Sequence, residues 1–135
     1  MKKTFAVLSA LALSSVALVG CSSESAPAAE CLTVDDVMMQ AIAEGSNDYK
    51  MIPTKAAAVQ SGDYYYIAMD YKTETLSGKP VSDSDKAIWA STAIDATGSI
   101  QSVDNMASGF TAWPENVWGL SHTDPEAVQA KKCLK

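Results

Sequence analysis

Between Tyr64 and Tyr71 the side chains alternate: Tyr65, Ile67, Met69 and Tyr71 fall on one side of an extended chain, and Tyr64, Tyr66, Ala68 and Asp70 on the other. A period of two over eight residues marks a strand, and a strand this apolar needs neighbours in a sheet. The first set is the better core face, while the second presents two tyrosines beside a carboxylate. Ala56 to Gln60 forms a second strand candidate, joined to the first through Ser61-Gly62-Asp63, whose glycine permits a tight hairpin reversal. Ala87 to Asp95 alternates again, with Ile88, Ala90, Thr92 and Ile94 opposite Ala87, Trp89, Ser91 and Ala93. Asp95-Ala96-Thr97-Gly98 then turns the chain into Ile100 to Val103. Lys72 to Asp85 holds Gly78, Pro80 and many charged or hydroxyl side chains, so it reads as an exposed loop. The economical expectation is a four-strand antiparallel sheet.

Helices bracket these strands. Thr33 is placed to cap a helix in which Val34, Val37, Met38, Ala41 and Ile42 share one face, and Gly45 stops it. Residues 46–50 read as a loop. Ser102 reads as the cap of a short helix with Val103, Met106 and Phe110 on one face, ended by Trp113-Pro114. A last helix starts at Thr123, with Pro125 in its first turn, and ends near Cys133. The expected fold is a small α+β domain, a sheet of about four strands packed with N-terminal and C-terminal helices on one face.

Size limits what such a chain can be. It has 135 residues, and the ends leave about 105 for a core, enough for one domain. All ten basic residues are lysine, against sixteen acidic residues. With no arginine fork for bidentate phosphate capture, no nucleic acid is expected as a partner, and an acidic body is repelled by anionic lipid.

The first twenty residues form an address. Lys2 and Lys3 precede an apolar run from Phe5 to Val19, the layout of a secretory signal. It closes on Leu18-Val19-Gly20-Cys21, which closely resembles the lipobox of bacterial lipoproteins, with an aliphatic residue three before the cysteine and a small residue just before it. The resemblance implies that the Cys21 sulfur receives a diacylglycerol, that cleavage frees its amine, and that the product sits in the lipid bilayer through acylated Cys21. Ser22, in place of the aspartate that retains such proteins in the inner membrane, implies the outer membrane in a diderm host and the outer face of the cytoplasmic membrane otherwise. Beyond residue 21 the body is similar to small bacterial lipoprotein domains in general. The organisation that follows is a signal peptide over 1–20, an acylated cysteine and flexible tether over 21–30, and one domain over 31–135. Fully extended, the tether reaches roughly 30 Å.

With Cys21 carrying lipid in this reading, Cys31 and Cys133 are the remaining thiols, and an oxidising compartment pairs them. Such a bridge ties the start of the domain to its end and constrains the unfolded chain by about 4 to 5 kcal/mol in the entropy model. No C-x-x-C is present, so catalytic redox chemistry is not expected.

Little else carries chemistry. His122 is the single histidine and reads as a surface residue flanking a helix; Ser121-His122-Thr123-Asp124 is too contiguous to assemble a hydrolytic triad. The acidic residues follow no calcium-loop spacing and there is no glycine-rich phosphate cradle, so neither catalytic residues, nor a metal, nor a cofactor is expected. The aromatic residues are the informative remainder. Tyr64, Tyr66, Trp89, Trp113 and Trp118 exceed the needs of the helix stripes: either the irregular 111–120 segment covers the off-core face of the sheet and buries the tryptophans, or these residues are the candidate binding surface for an envelope protein partner. The expected function is a membrane-anchored binding or interaction module. Two rivals are a structural or stress-related lipoprotein without a discrete ligand, and a small envelope enzyme using carboxylate or histidine chemistry. Growth with a radiolabelled fatty acid tests the anchor: the protein should carry label, and Cys21→Ser should carry none.

Overall fold

The computed structural model describes residues 29–115 and 117–135; the expected signal segment, Cys21 and the expected tether up to residue 28 lie outside them. Eight elements follow in order: β1 (Leu32–Thr33), α1 (Asp36–Glu44), β2 (Tyr49–Ser61), β3 (Tyr64–Thr75), β4 (Pro80–Ser91), β5 (Ile100–Ser102), α2 (Asn105–Phe110) and α3 (Pro125–Lys132). The strands form one sheet in the order β1-β2-β3-β4-β5 with every neighbouring pair antiparallel. The fold is therefore α+β, an antiparallel sheet flanked by N- and C-terminal helices, with five strands where four were expected. The additional strand is β1, which pairs Leu32 with Ala58 and Thr33 with Ala57.

Strand lengths also depart from expectation, for one reason. Lys72 to Asp85, expected as a loop, is the far half of a long hairpin, in which Thr73 faces Ser82 and Glu74 faces Pro80. On the other side of β3, Lys72 faces Ile52 and Glu74 faces Lys50, so β2 begins at Tyr49 inside the expected loop. Charged side chains suit the solvated side of a sheet as well as they suit a loop, and composition alone does not separate the two. Pro80 opens β4, where its missing N–H interrupts no ladder, and Gly78 adopts a φ of 91° in the turn before it. β4 ends at Ser91, short of the expected Asp95.

Local capping explains the helix starts. Asp35 Oδ1 accepts from the Met38 N–H at 2.8 Å and begins α1, two residues after the expected Thr33, which lies in β1. Asp104 likewise accepts from the Ala107 N–H at 2.8 Å and begins α2, while Ser102 ends β5. The expected shared face of α2 is split: Val103 packs on one side of the sheet, Phe110 on the other, and Met106 is exposed.

Both faces of the sheet are covered. Met38 and Ile42 of α1 and Ala107 of α2 pack with Met51, Ile67, Met69, Tyr71 and Trp89 on one face. Ala127, Ala130 and Leu134, from α3 and the residues after it, pack with Val59, Tyr66, Ala68 and Ile88 on the other. The expectation of both end helices on one face is corrected by this arrangement. β3 is apolar on both sides, and one layer of helices would leave the Tyr66 and Ala68 side in water. Alanines on both α3 and the strands let helix and sheet approach closely.

Cys31 precedes the edge strand β1 and Cys133 caps the end of α3, and the two are joined by a disulfide with Cα atoms 5.7 Å apart. The bridge thus passes round the sheet edge from one layer to the next. A second closure acts at the end of α1. Trp113 Nε1–H donates to the Ile42 carbonyl at 2.9 Å, the Ala112 N–H donates to Gly45 O at 2.7 Å, and the indole lies directly against Gly45. A β-carbon on residue 45 would overlap the indole nitrogen. Gly45→Ala should lower the unfolding free energy by about 1 to 3 kcal/mol, read as a reduced urea midpoint with unchanged slope.

Candidate functional site

The five aromatic residues expected to form one surface divide into three groups. Tyr66 and Trp89 are core residues at 1% and 0% exposure, which removes them from any free binding surface. They also face opposite ways. Tyr66 pairs with Ala90 and belongs to the α3 layer, whereas Trp89 pairs with Ile67 and belongs to the α1 layer. The alternation divides the two faces correctly within each strand, but the register that pairs Tyr66 with Ala90, and so puts Trp89 on the other face, is not contained in either strand's own pattern.

Trp89 anchors a small polar network inside its layer. Its Nε1–H donates to Thr111 Oγ1 at 3.1 Å, Thr111 donates to the Ala107 carbonyl at 2.6 Å, and Ser102 Oγ lies 3.2 Å from Thr111 Oγ1. The Thr111 proton is committed to Ala107, so Ser102 donates to Thr111. Tyr71 meets Trp89 edge-on at 6.0 Å and Phe110 at 5.9 Å between ring centroids. Burial, then Asp85 and Asp104, push the Tyr71 phenol upward from its ordinary value. Trp113 forms the second group, half-buried and spent on Gly45 and the end of α1.

Tyr64 and Trp118 form the third. Their rings stack at 4.7 Å between centroids and 18° between planes, and both are half-buried at the surface. The Trp118 N–H donates to Gln101 Oε1 at 3.1 Å, which holds residues 117–120 over the end of β5. Beside this pair is a cavity of about 210 Å³ lined by Ser99, Ile100, Gln101, Pro114, Val117 and Trp118. It lies between the outer edge of β5 and the 114–118 segment, which bridges that edge in parallel at Ser102 through Glu115. The Ser102 N–H donates to Pro114 O at 2.8 Å, away from β4, and the Thr92 N–H donates to Ser99 O at 3.1 Å toward β5. Two-residue alternation therefore points the Ile100 N–H and C=O outward from β4 as well. Gln101 is buried, and its Nε2 has no hydrogen-bond partner among the described residues. The arrangement combines a strand edge, bridged at Ser102 by Glu115 and with the outward Ile100 backbone groups beyond that bridge, with an aromatic wall. Gln101 escaped sequence reasoning because nothing distinguishes a glutamine in a three-residue strand from a surface residue.

Among the described residues no group of three or more His, Cys, Asp or Glu side chains is arranged to hold a metal ion, and no helix is long and apolar enough to cross a membrane. His122 is exposed at the start of α3. Within the sequence Ser121-His122-Thr123-Asp124, the residue that acts is Asp124: its Oδ2 accepts from the Tyr66 hydroxyl and, at 2.9 Å, from the Ser121 N–H. It caps α3 as a residue without a side-chain bond to the helix, because that carboxylate is turned to Tyr66. Burial, followed by the Asp124 bond, raises the Tyr66 phenol above its ordinary range. Compared with known proteins, the chain matches no family model, no curated protein and no solved structure.

The Tyr66 hydroxyl first, and then the Ser121 N–H, hold the Asp124 carboxyl below the usual carboxylate range. A depressed folded value contributes stability that is present above the unfolded pKa, about 4, and is lost as pH falls through the folded value. Tyr66→Phe should cost about 1 kcal/mol at neutral pH. It should also flatten the loss of stability below the ordinary carboxylate pKa. Urea midpoints measured across acidic pH for both proteins check this, and parallel profiles would show the bond to be thermodynamically silent.

Proposed function

We propose that this chain is an exported lipoprotein whose domain is a binding module, held to a membrane through acylated Cys21 and engaging an envelope protein at the Ile100 end of the β5 edge, beyond the Ser102–Glu115 bridge. The observation that carries the reading is the half-exposed Tyr64–Trp118 stack beside the cavity on that edge. An extended segment of the partner would accept from the Ile100 N–H and donate to its carbonyl, adding a strand to the sheet, while a side chain enters between Pro114 and Trp118. The aromatic pair supplies contact area with little rotamer entropy to lose. The Cys31–Cys133 bridge supports export, because it uses both thiols of the domain and leaves Cys21 as the odd cysteine at the end of the lipobox. In a diderm host the reading puts the protein at the outer membrane, by the rule that Ser22 satisfies.

A photo-reactive residue tests the site in intact cells. Placed at Val117, it should give a discrete covalent adduct with an envelope protein, and Trp118→Ala should reduce the yield by about tenfold or more, the weight of a central aromatic contact. The same probe at Leu76, in the exposed turn at the far end of the β3–β4 hairpin, should give none. Equal adduct patterns from both positions would remove the β5 edge as the site.

A further inference from the structure

The net charge hides a division between the two faces of the domain. Residues 31–48, which include all of α1, carry Asp35, Asp36, Glu44 and Asp48 and no lysine. Asp36 and Glu44 line an open hollow there with Val37, Gln40, Ala41 and Ala96. The opposite face is different. Tyr66 and Ala68 put the even-numbered residues of β3 on the α3 side, so Lys72 and its partner position Ile52, Lys50 opposite Glu74, and Lys55 and Lys86 flanking Asp70 all project from that side. Lys131 and Lys132 close the last turn of α3 on the same side. Loss of Lys2 and Lys3 with the signal leaves eight lysines, and these are six of them. The carboxylates among them are Asp70, Glu74, Glu126, Asp124, which the Tyr66 hydroxyl engages, and Asp104, which lies 3.8 Å from Lys131 Nζ.

A hollow of about 520 Å³ lies on this face, lined by Lys86, His122, Thr123, Val128, Lys131 and Lys132, with no carboxylate in its wall. The tether starts beside it. Cys31 is bonded to Cys133, the residue directly after Lys132, so the chain leading to Cys21 leaves the domain within one helical turn of the lysines. Nine residues lie between Cys21 and Cys31, too few to carry the domain farther than roughly 35 Å from the acylated sulfur.

We infer that the α3 face, with Lys55, Lys72, Lys86, Lys131 and Lys132, docks on the anionic phospholipid headgroups of the membrane that holds the anchor, leaving the acidic α1 face turned outward. This rests on the lipid-anchor reading. It replaces the expectation that an acidic body is repelled by anionic lipid, because repulsion follows the charge of the surface presented within a screening length and not the net charge. Val128 adds an exposed apolar side chain among the lysines, as a surface facing headgroups and glycerol backbones requires.

The full acylated chain, purified from membranes and returned to vesicles, provides the test. Brief amine acylation, read lysine by lysine by mass spectrometry, is compared between phosphatidylcholine vesicles and phosphatidylcholine vesicles containing phosphatidylglycerol. Phosphatidylglycerol should slow labelling of Lys72, Lys86, Lys131 and Lys132 by about threefold or more and leave Lys79, in the hairpin turn, unchanged; high salt should erase the difference. Equal labelling of protein that floats with both vesicles would overturn the docked face while sparing the anchor. Failure to float with either would overturn the anchor and the docked face together. If inorganic phosphate in phosphatidylcholine vesicles gave the same protection, the lysines would form a free-anion site and the membrane proposal would fall. Lys86→Glu combined with Lys132→Glu, both on exposed side chains, should abolish the protection of Lys72 without moving the urea midpoint.

Discussion

The burial of β3 on both sides governs this domain. Ile67, Met69 and Tyr71 enter one layer, while Tyr66 and Ala68 enter the other, all at 1% exposure or less. Burying a large apolar side chain contributes about 1.5 to 3 kcal/mol, so neither side of this strand can be left in water without a cost comparable to the whole stability of a small domain. Two layers of helix follow from that. Once α1 and α2 take one face and α3 the other, the segments between them must travel round the sheet edges. The Trp113 latch, the stretch over β5 and the disulfide are three ways of fixing those passages.

Polar groups are handled differently in the two layers. On the α1 side, Trp89, Thr111, Ser102 and the Ala107 carbonyl form a closed chain of donors and acceptors around a buried indole. On the α3 side a single tyrosine hydroxyl reaches the surface end of its layer and meets a carboxylate. The first device makes the interior specific. The second ties the start of α3 to the middle of the sheet, which is why Asp124 binds Tyr66 in place of its own helix.

Much of the fold was legible because period and punctuation are local. The alternation from Tyr64 to Tyr71 and the Ser61-Gly62-Asp63 reversal identified the central hairpin, and the Met38 and Ile42 stripe identified α1. What escaped depended on contacts across the chain. Apart from Met51, Tyr71 and Thr73, which are buried, the far halves of β2, β3 and β4 are largely polar and exposed, so their strand character is carried by pairing and not by hydropathy. The cap of α1 was misplaced because Thr33 and Asp35 are both good capping residues, and the pairing of Thr33 with Ala57 decides between them. The binding surface fared worst. Tyr64 and Trp118 meet through a loop closure, whereas Tyr66 and Trp89 are separated by a register that one sequence does not contain.

The position of the Cys31–Cys133 bond has a mechanical consequence. Any pull on the N-terminal segment enters the domain at Cys31, beside a two-residue edge strand that, alone, would peel from β2 one pair of contacts at a time. The covalent link passes that force to Cys133 at the end of α3, whose alanines are packed into the opposite layer. Tension is then shared between an edge strand on one side of the sheet edge and a helix on the other. Rupture requires shearing the α3 layer off the sheet instead of unzipping β1, and a packed interface sheared all at once resists far more force than a ladder opened from its end.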